Sequence, residues 1–131
     1  LYVRNFAPDR WPAGNPETHY TNCDSSPTKT RILELHEEGN ERFWRLAFGK
    51  RPAEELFDVR ADPFCLDNLA DREEFASLKE SLRLELEAEL RRTGDPRLSG
   101  SGDIFEEYEY IVDAPHSWAH YLKGDWEPQT Y

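Results

Sequence analysis

Two histidines four residues apart, His116 and His120, have the spacing with which a helix presents two ligands to zinc. Ser117 follows His116, at the place where a zinc metalloprotease carries the glutamate that acts as general base. No third ligand is obvious in the sequence. We therefore interpret the pair as surface or packing histidines, and a metal site is the alternative.

Three aspartates, Asp58, Asp62 and Asp67, offer the carboxylate oxygens that calcium prefers. The stretch that holds them lacks the glycine and the glutamate spacing of an EF-hand loop. Near a proline such as Pro63, aspartates commonly accept hydrogen bonds from backbone N–H groups and so hold turns. We interpret the three carboxylates as turn and cap groups, and calcium ligation is the alternative.

Basic residues balance acidic ones only near the start of the chain. Residues 1–31 carry four basic and three acidic residues, whereas residues 100–131 carry seven acidic residues and one lysine. An anionic ligand would be repelled by the second half of the chain and tolerated only by the first. Arg10, His19 and Lys29 lie in this first region and are candidate contacts to a sulfate or carboxylate group. The alternative is that they are ordinary loop and helix-end charges.

The composition describes one domain with a modest core. The chain has 131 residues, of which 37% are apolar and 33% are charged, and its net charge is −11. Nucleic acids and anionic membranes both need clustered lysine and arginine, so this charge argues against both as partners. No apolar run reaches the roughly 18 residues of a membrane span. Two cysteines, Cys23 and Cys65, do not make a disulfide framework, and whether they pair stays open.

Two short helices are predicted in the first half of the chain. Ser26 is placed to cap the first of them, with Pro27 at the first helical position, where its missing N–H costs nothing. Gly39 is a plausible stop for this helix. Residues 41–48 form the second helix, and Gly49 follows it.

A strand is predicted over residues 55–60, where Leu56, Phe57 and Val59 favour extended backbone. Asp62-Pro63 ends this strand, because the proline ring removes a donor and disfavours helical backbone at the residue before it. Residues 1–6 are the expected partner strand in a small antiparallel sheet.

A long amphipathic helix is predicted after the strand. Asp71 is placed to cap it, with Glu74 as the partner of a capping box, and residues 93–96 end it. Its apolar residues recur every three or four positions and so share one face: Phe75, Leu78, Leu82, Leu86 and Leu90. A helix with one apolar stripe needs a cover, and the small sheet provides it. The predicted fold class is α+β.

The character of the chain changes after residues 100–102. Apolar residues then alternate with acids, which predicts extended backbone or a strand over 104–112. Residues 113–131 form an aromatic-rich tail. The expected division is a folded part, 1–112, followed by this tail.

The order of these elements resembles the C-terminal subdomain of the sulfatases, where an "ELYD…DP…NLA" run opens the last helix. In this chain the run is Glu55-Leu56-Phe57-Asp58, then Asp62-Pro63, then Asn68-Leu69-Ala70. Residues 1–6 look like the edge strand that enters this subdomain. Ser26-Pro27-Thr28 and Thr93-Gly94-Asp95-Pro96 are similar to segments of the heparan N-sulfatase (N-sulfoglucosamine sulfohydrolase) branch. The resemblance covers about residues 1 to 110.

The resemblance implies the C-terminal subdomain of an alkaline-phosphatase-like fold and the hydrolysis of sulfate esters or sulfamates of sugars. It also implies a formylglycine and a calcium ion, both in an N-terminal catalytic domain that would be the partner of this chain. Neither cysteine starts the C/S-x-P/A-x-R motif from which formylglycine is made, and the paired acids that open the calcium site are absent. We therefore expect a fragment that is inactive alone, in a protein that the family suggests is periplasmic or secreted. Arg10, His19 and Lys29 would then lie at the rim of the substrate pocket.

A free-standing acidic interaction module is the alternative. Its partner-binding surface would be the aromatic tail, since clustered aromatic side chains supply binding hot spots. The residues concerned are Trp118, Tyr121, Trp126 and Tyr131.

Overall fold

The computed structural model describes residues 1–12, 26–108 and 123–125. The chain divides into two compact units. The first is made of Leu1–Pro8 and Pro52–Glu107, and the second of Asp9–Arg51 and Tyr108–Tyr131. Helices accompany a small antiparallel sheet, which confirms the α+β prediction. Within the described ranges, no helix is both long and apolar enough to span a membrane.

The sheet of the first unit pairs β1 (Tyr2–Arg4) with β2 (Glu54–Leu56) in antiparallel register, Tyr2 opposite Leu56. The pairing continues one residue further, where Leu1 and Phe57 exchange N–H···O bonds of 2.8 and 2.9 Å. Since hydrogen-bonded and non-hydrogen-bonded pairs alternate along an antiparallel ladder, the backbone groups of Tyr2 and Arg4 point away from β2. The predicted sheet is confirmed, with shorter strands.

The strand predicted over 55–60 ends early because a turn begins at Asp58. Its carboxylate accepts from the backbone N–H groups of residues 60 and 61, which bends the chain away from the sheet. Val59 is left 47% exposed rather than packed in a strand.

The outer edge of β2 is covered by the segment that follows this turn. Asn68 Oδ1 accepts from the N–H of Leu56 at 2.9 Å, and Asn68 Nδ2 donates to the carbonyl of Glu54 at 3.3 Å. The N–H of Leu69 then donates to the carbonyl of Leu56 at 2.8 Å. Three outward backbone groups of β2, the N–H and carbonyl of Leu56 and the carbonyl of Glu54, are therefore satisfied within the unit.

The long helix, α3, runs over Ala76–Thr93 and follows a 3₁₀ turn at Glu73–Phe75. The predicted capping box at Asp71 is wrong: Arg72 and Phe75 hold the two N-cap positions, and neither makes a side-chain cap. The reason is a turn closed by the N–H of Arg72 and the carbonyl of Leu69, which delays helical backbone past Asp71. At the other end Gly94 takes a φ of 70°, as the predicted stop requires.

The core of the first unit lies where β2, residues 68–70 (the Asn68 segment) and α3 meet. Its buried members are Leu56, Leu69 and Ala70, and Tyr2, Phe75 and Leu82 pack against them. Leu78 belongs to the predicted apolar stripe but is 50% exposed. The sheet therefore covers only part of the apolar face of α3.

The second unit contains two short helices, α1 (Pro27–Glu37) and α2 (Glu41–Ala47), as predicted. Ser26 Oγ accepts from the N–H of Lys29 at 3.1 Å, which confirms the predicted cap. Gly39 follows α1 at a φ of 87°, a left-handed conformation that glycine adopts without a Cβ clash.

The strand predicted over 104–112 is wrong where the structure describes it. Residues Gly102–Glu106 form a 3₁₀ turn, in which local bonds satisfy the backbone and no partner strand is needed. The ring of Phe105 lies under the guanidinium of Arg97 at 4.2 Å, which holds the turn against the chain before it. Residues 109–112 and most of the tail lie outside the described residues, so the division at residue 112 stays a prediction.

Candidate functional site

The residues predicted to contact an anionic group are only partly described. Arg10 is half-buried, and Lys29 lies in the first turn of α1 with 6% of its surface exposed. His19 lies outside the described residues, as do His116 and His120 of the possible zinc pair. A ligand-binding role for Arg10, His19 and Lys29 stays a prediction.

The interpretation of the aspartates as turn groups is confirmed for Asp58 and Asp62, whereas Asp67 pairs with a side chain. Asp58 Oδ1 accepts backbone N–H bonds of 3.0 and 3.3 Å, and Asp62 Oδ2 accepts those of residues 66 and 67 at 2.6 and 2.8 Å. Asp67 receives two bonds of 2.7 and 2.8 Å from Arg72 Nη2. In the described part of the chain, no group of three histidines, cysteines or acids is placed to hold a metal ion.

A group of charged side chains in the first unit surrounds Glu54 on β2. The O–H of Tyr2 donates to Glu54 Oε1 at 2.6 Å, and Arg4 Nη1 lies 3.6 Å from the same oxygen. Two cations of α3 complete the group: Lys79 Nζ lies 3.7 Å from Glu54 Oε2, and Arg83 Nη1 lies 3.9 Å from Oε1. We call these five residues the Glu54 cluster.

Secondary structure brings the Glu54 cluster together. Tyr2 and Arg4 are two residues apart on β1 and so share a face of the sheet. Glu54 is opposite Arg4 in the register. Lys79 and Arg83 are four residues apart and therefore project from one side of α3.

The cluster shifts the titration of two of its members. The hydrogen bond from Tyr2 lowers the pKa of Glu54 against the opposing effect of desolvation, and Lys79, Arg83 and Arg4 lower it further by their charge. Burial raises the pKa of Tyr2 above its ordinary value, and the bond to Glu54 adds to the rise. At neutral pH the cluster therefore holds an ionised carboxylate and a neutral phenol.

An apolar groove of about 270 Å³ lies in the same unit, between the end of the sheet and α3. Apolar side chains dominate its lining: Leu1, Leu56, Phe57, Val59, Leu78 and Leu82. The charged residues Asp58 and Arg60 also border it. The described lining is thus mostly apolar, which suits packing.

The second unit holds an aromatic stack. The ring of His36 lies parallel to that of Trp44 at 4.5 Å, and Trp11 meets Trp44 edge to face at 5.7 Å. Lys50 Nζ lies 4.8 Å from the centre of the Trp11 ring. His36 Nδ1 is 2.9 Å from Glu41 Oε1, although the two are not aligned for a hydrogen bond. The ring faces are thus engaged within the unit, as in a small packing cluster.

Comparison with known proteins finds a relative of part of the chain. The chain is 35% identical over 99 residues to a protein described as an ulvan-active sulfatase, from Formosa agariphila. The chain is similar to part of a sulfatase. The matched segment is 72% of this chain and 15% of that protein, so the chain spans a small part of its relative.

Two further comparisons are negative. No protein-family model matches the chain, and no solved structure matches it. The similarity to a sulfatase therefore rests on the sequence match, and the heparan N-sulfatase branch is a finer assignment than that match supports.

Sequence reasoning missed the Glu54 cluster. The four-residue spacing of Lys79 and Arg83 was a visible signal that the two cations share one side of the helix. That Glu54 and Arg4 face them depends on a pairing across 50 residues, which sequence spacing does not give.

Proposed function

We propose that this chain is the C-terminal subdomain of a sulfatase that hydrolyses sulfate esters or sulfamates of sugars. The observation that carries the proposal is the 35% identity over 99 residues to a sulfatase. The succession of β2, the Asp58–Asp62 turns, the Asn68 segment and α3 supports it, because this is the order of elements that the resemblance implies.

In this proposal the chain is structural and does not carry the reaction. The formylglycine nucleophile and the calcium ion belong to an N-terminal catalytic domain of the same protein. The partly covered face of α3 and the apolar groove are surfaces suited to packing against that domain. The isolated chain would be inactive.

A sulfated sugar is the proposed substrate of the whole protein. We assign the protein to the heparan N-sulfatase branch on the strength of Ser26-Pro27-Thr28 and Thr93-Gly94-Asp95-Pro96. The sulfatase that the chain matches is described as acting on ulvan, so ulvan belongs among the substrates to be tested. Release of sulfate from an N-sulfated and from an O-sulfated disaccharide separates the two bond types. Activity on the O-sulfated sugar alone would reject the N-sulfatase branch.

The intact mass of the protein purified from its native source tests the proposal directly. We expect a species several hundred residues larger than this 15.4 kDa chain, with a formylglycine in a tryptic peptide upstream of Leu1. A native mass equal to that of the chain would reject the proposal. A larger protein without the C/S-x-P/A-x-R motif would also reject it.

The free-standing interaction module stays the second hypothesis. Its binding surface would be the aromatic tail, which lies outside the described residues except for 123–125. A native mass of 15.4 kDa would favour it. Deletion of residues 113–131 should then abolish binding to its protein partner.

A further inference from the structure

The Glu54 cluster contains more positive than negative charge. Arg4, Lys79 and Arg83 surround a single carboxylate. Arg83 also pairs with Glu80, the next acid along α3. Three cations thus face two carboxylates, in a chain whose net charge is −11. Such a local excess favours the approach of an anion.

The distances in the cluster differ from those of ordinary ion pairs in the same unit. Arg72 and Asp67 approach to 2.7 Å, and Arg92 and Glu89 approach to 2.6 Å. The three cations of the cluster stay 3.6 to 3.9 Å from Glu54, beyond hydrogen-bond distance. The carboxylate therefore attracts the cations without accepting their N–H groups.

The cluster is also reachable from solvent. The side chains of Arg4, Lys79 and Arg83 are between 23% and 34% exposed, whereas that of Glu54 is 19% exposed. Partial burial of this degree strengthens an electrostatic contact relative to a fully hydrated surface charge. An anion can therefore approach these partly exposed cations, while the charge of Glu54 holds them at 3.6 to 3.9 Å.

We infer that Arg4, Lys79 and Arg83 bind a sulfate group, and that Tyr2 and Glu54 position them. Guanidinium groups match the oxygens of an oxyanion with two parallel N–H bonds, and a lysine adds a point charge. The assignment of this anion to a sulfated sugar rests on the proposed function. In that setting the cluster is a subsite for a sulfate group other than the one that is cleaved, since the proposed formylglycine nucleophile belongs to the N-terminal domain.

Titration of the purified protein with sodium sulfate tests the site, at an ionic strength held constant with sodium chloride. We expect saturable binding that chloride does not reproduce. Replacing both helix cations (Lys79→Gln with Arg83→Gln) should weaken it about tenfold or more, since each lost tenfold corresponds to one charge-assisted bond of about 1.4 kcal/mol. The matched control is Arg91→Gln with Arg92→Gln, which removes the same charge from the same helix and should leave the affinity unchanged.

Absence of sulfate binding, or an equal loss in both double variants, would overturn the inference. If the Lys79 and Arg83 variant does not fold, the amide resonances of the unmodified protein give the answer. On addition of sulfate they should shift at β1, at Glu54 and between Lys79 and Arg83. Shifts confined to other segments would reject the site.

A sulfated tetrasaccharide and its desulfated counterpart test the sugar assignment. Only the sulfated form should compete with inorganic sulfate for the site. Binding of inorganic sulfate without binding of the tetrasaccharide would reject the sugar. Because these measurements are made on this protein and the sulfatase proposal is tested by the native mass, the two can fail separately.

Discussion

Tyr2 and Glu54 form a diagonal pair across the two strands, in which the phenol donates to Glu54 Oε1 at 2.6 Å. Glu54 is opposite Arg4 in the register, so the bond reaches across to the neighbouring position on the same face of the sheet. A two-stranded ribbon has little stability of its own, and side-chain links of this kind help to hold its register.

Replacing Tyr2 by phenylalanine should lower the free energy of unfolding by about 1.5 kcal/mol, because a hydrogen bond to a charged group is lost while the ring stays in place. Urea denaturation measures the change. In the Glu54→Gln background the same replacement should cost much less, since the charged acceptor is gone. An equal loss of unfolding free energy in both backgrounds would contradict the hydrogen bond between Tyr2 and Glu54.

The stability of the first unit should depend on pH through Glu54. The pKa of Glu54 in the folded protein lies below its ordinary value of 4.5, chiefly because of the bond from Tyr2. The carboxylate therefore stabilises the fold at pH values above 4.5, and this stabilisation is lost as the pH falls through the folded pKa. Thermal unfolding between about pH 6 and 3 should show a steeper decline for the unmodified protein than for Glu54→Gln. Parallel curves would reject this role.

Asn68 should be among the most sensitive polar residues of the first unit. Its Oδ1 accepts from Leu56 N–H at 2.9 Å and from Ala70 N–H at 3.0 Å. Asn68→Ala leaves both donors without this acceptor and should destabilise by about 2 to 3 kcal/mol in urea denaturation. Asn68→Asp is the matched control, because it keeps the accepting oxygen and loses the donor to Glu54. An equal loss in both variants would show that the accepted bonds are not what matters.

Cys65 is the one non-glycine residue at positive φ in the described part of the chain, with a φ of 52°. A side chain with a Cβ destabilises the folded state by about 1 kcal/mol or more at this φ. Glycine avoids this cost, but it also loses more conformational entropy on folding, which offsets part of the benefit. Cys65→Gly should therefore be more stable than Cys65→Ala by about 0.5 to 1 kcal/mol, as measured by urea denaturation. The comparison with alanine removes the effect of losing the sulfur. If the glycine variant is less stable than the alanine variant, the hypothesis of backbone strain at Cys65 is rejected.

Local signals in the sequence predicted the helices well. Ser26 and Pro27 identified the start of α1, and the three-to-four-residue spacing of leucines identified α3. These elements are set by neighbouring residues, which a sequence displays directly. The predicted start of α3 was wrong because a turn forms at Leu69 in place of a helix cap at Asp71. The carbonyl of Leu69 accepts the N–H of Arg72 in this turn.

The sequence predicted less where distant segments meet. The Glu54 cluster needs β1, β2 and α3 to come together, and spacing gives no measure of that. Alternating apolar and acidic residues predicted a strand at 104–112, but Gly102 and the residues after it close a 3₁₀ turn instead. A short alternating run specifies a strand only when a partner strand is available to pair with it.

The side chain of Asn68 makes the sheet asymmetric. Because this amide and the N–H of Leu69 already bond both outward groups of Leu56 and the carbonyl of Glu54, another strand cannot pair with this edge of β2 without displacing them. Asn68 makes no such hydrogen bonds to the outward backbone groups of Tyr2 and Arg4 on β1. In any larger sheet that contains this ribbon, additional strands must therefore pair on the β1 side. Strand β2 then remains the edge strand of that sheet.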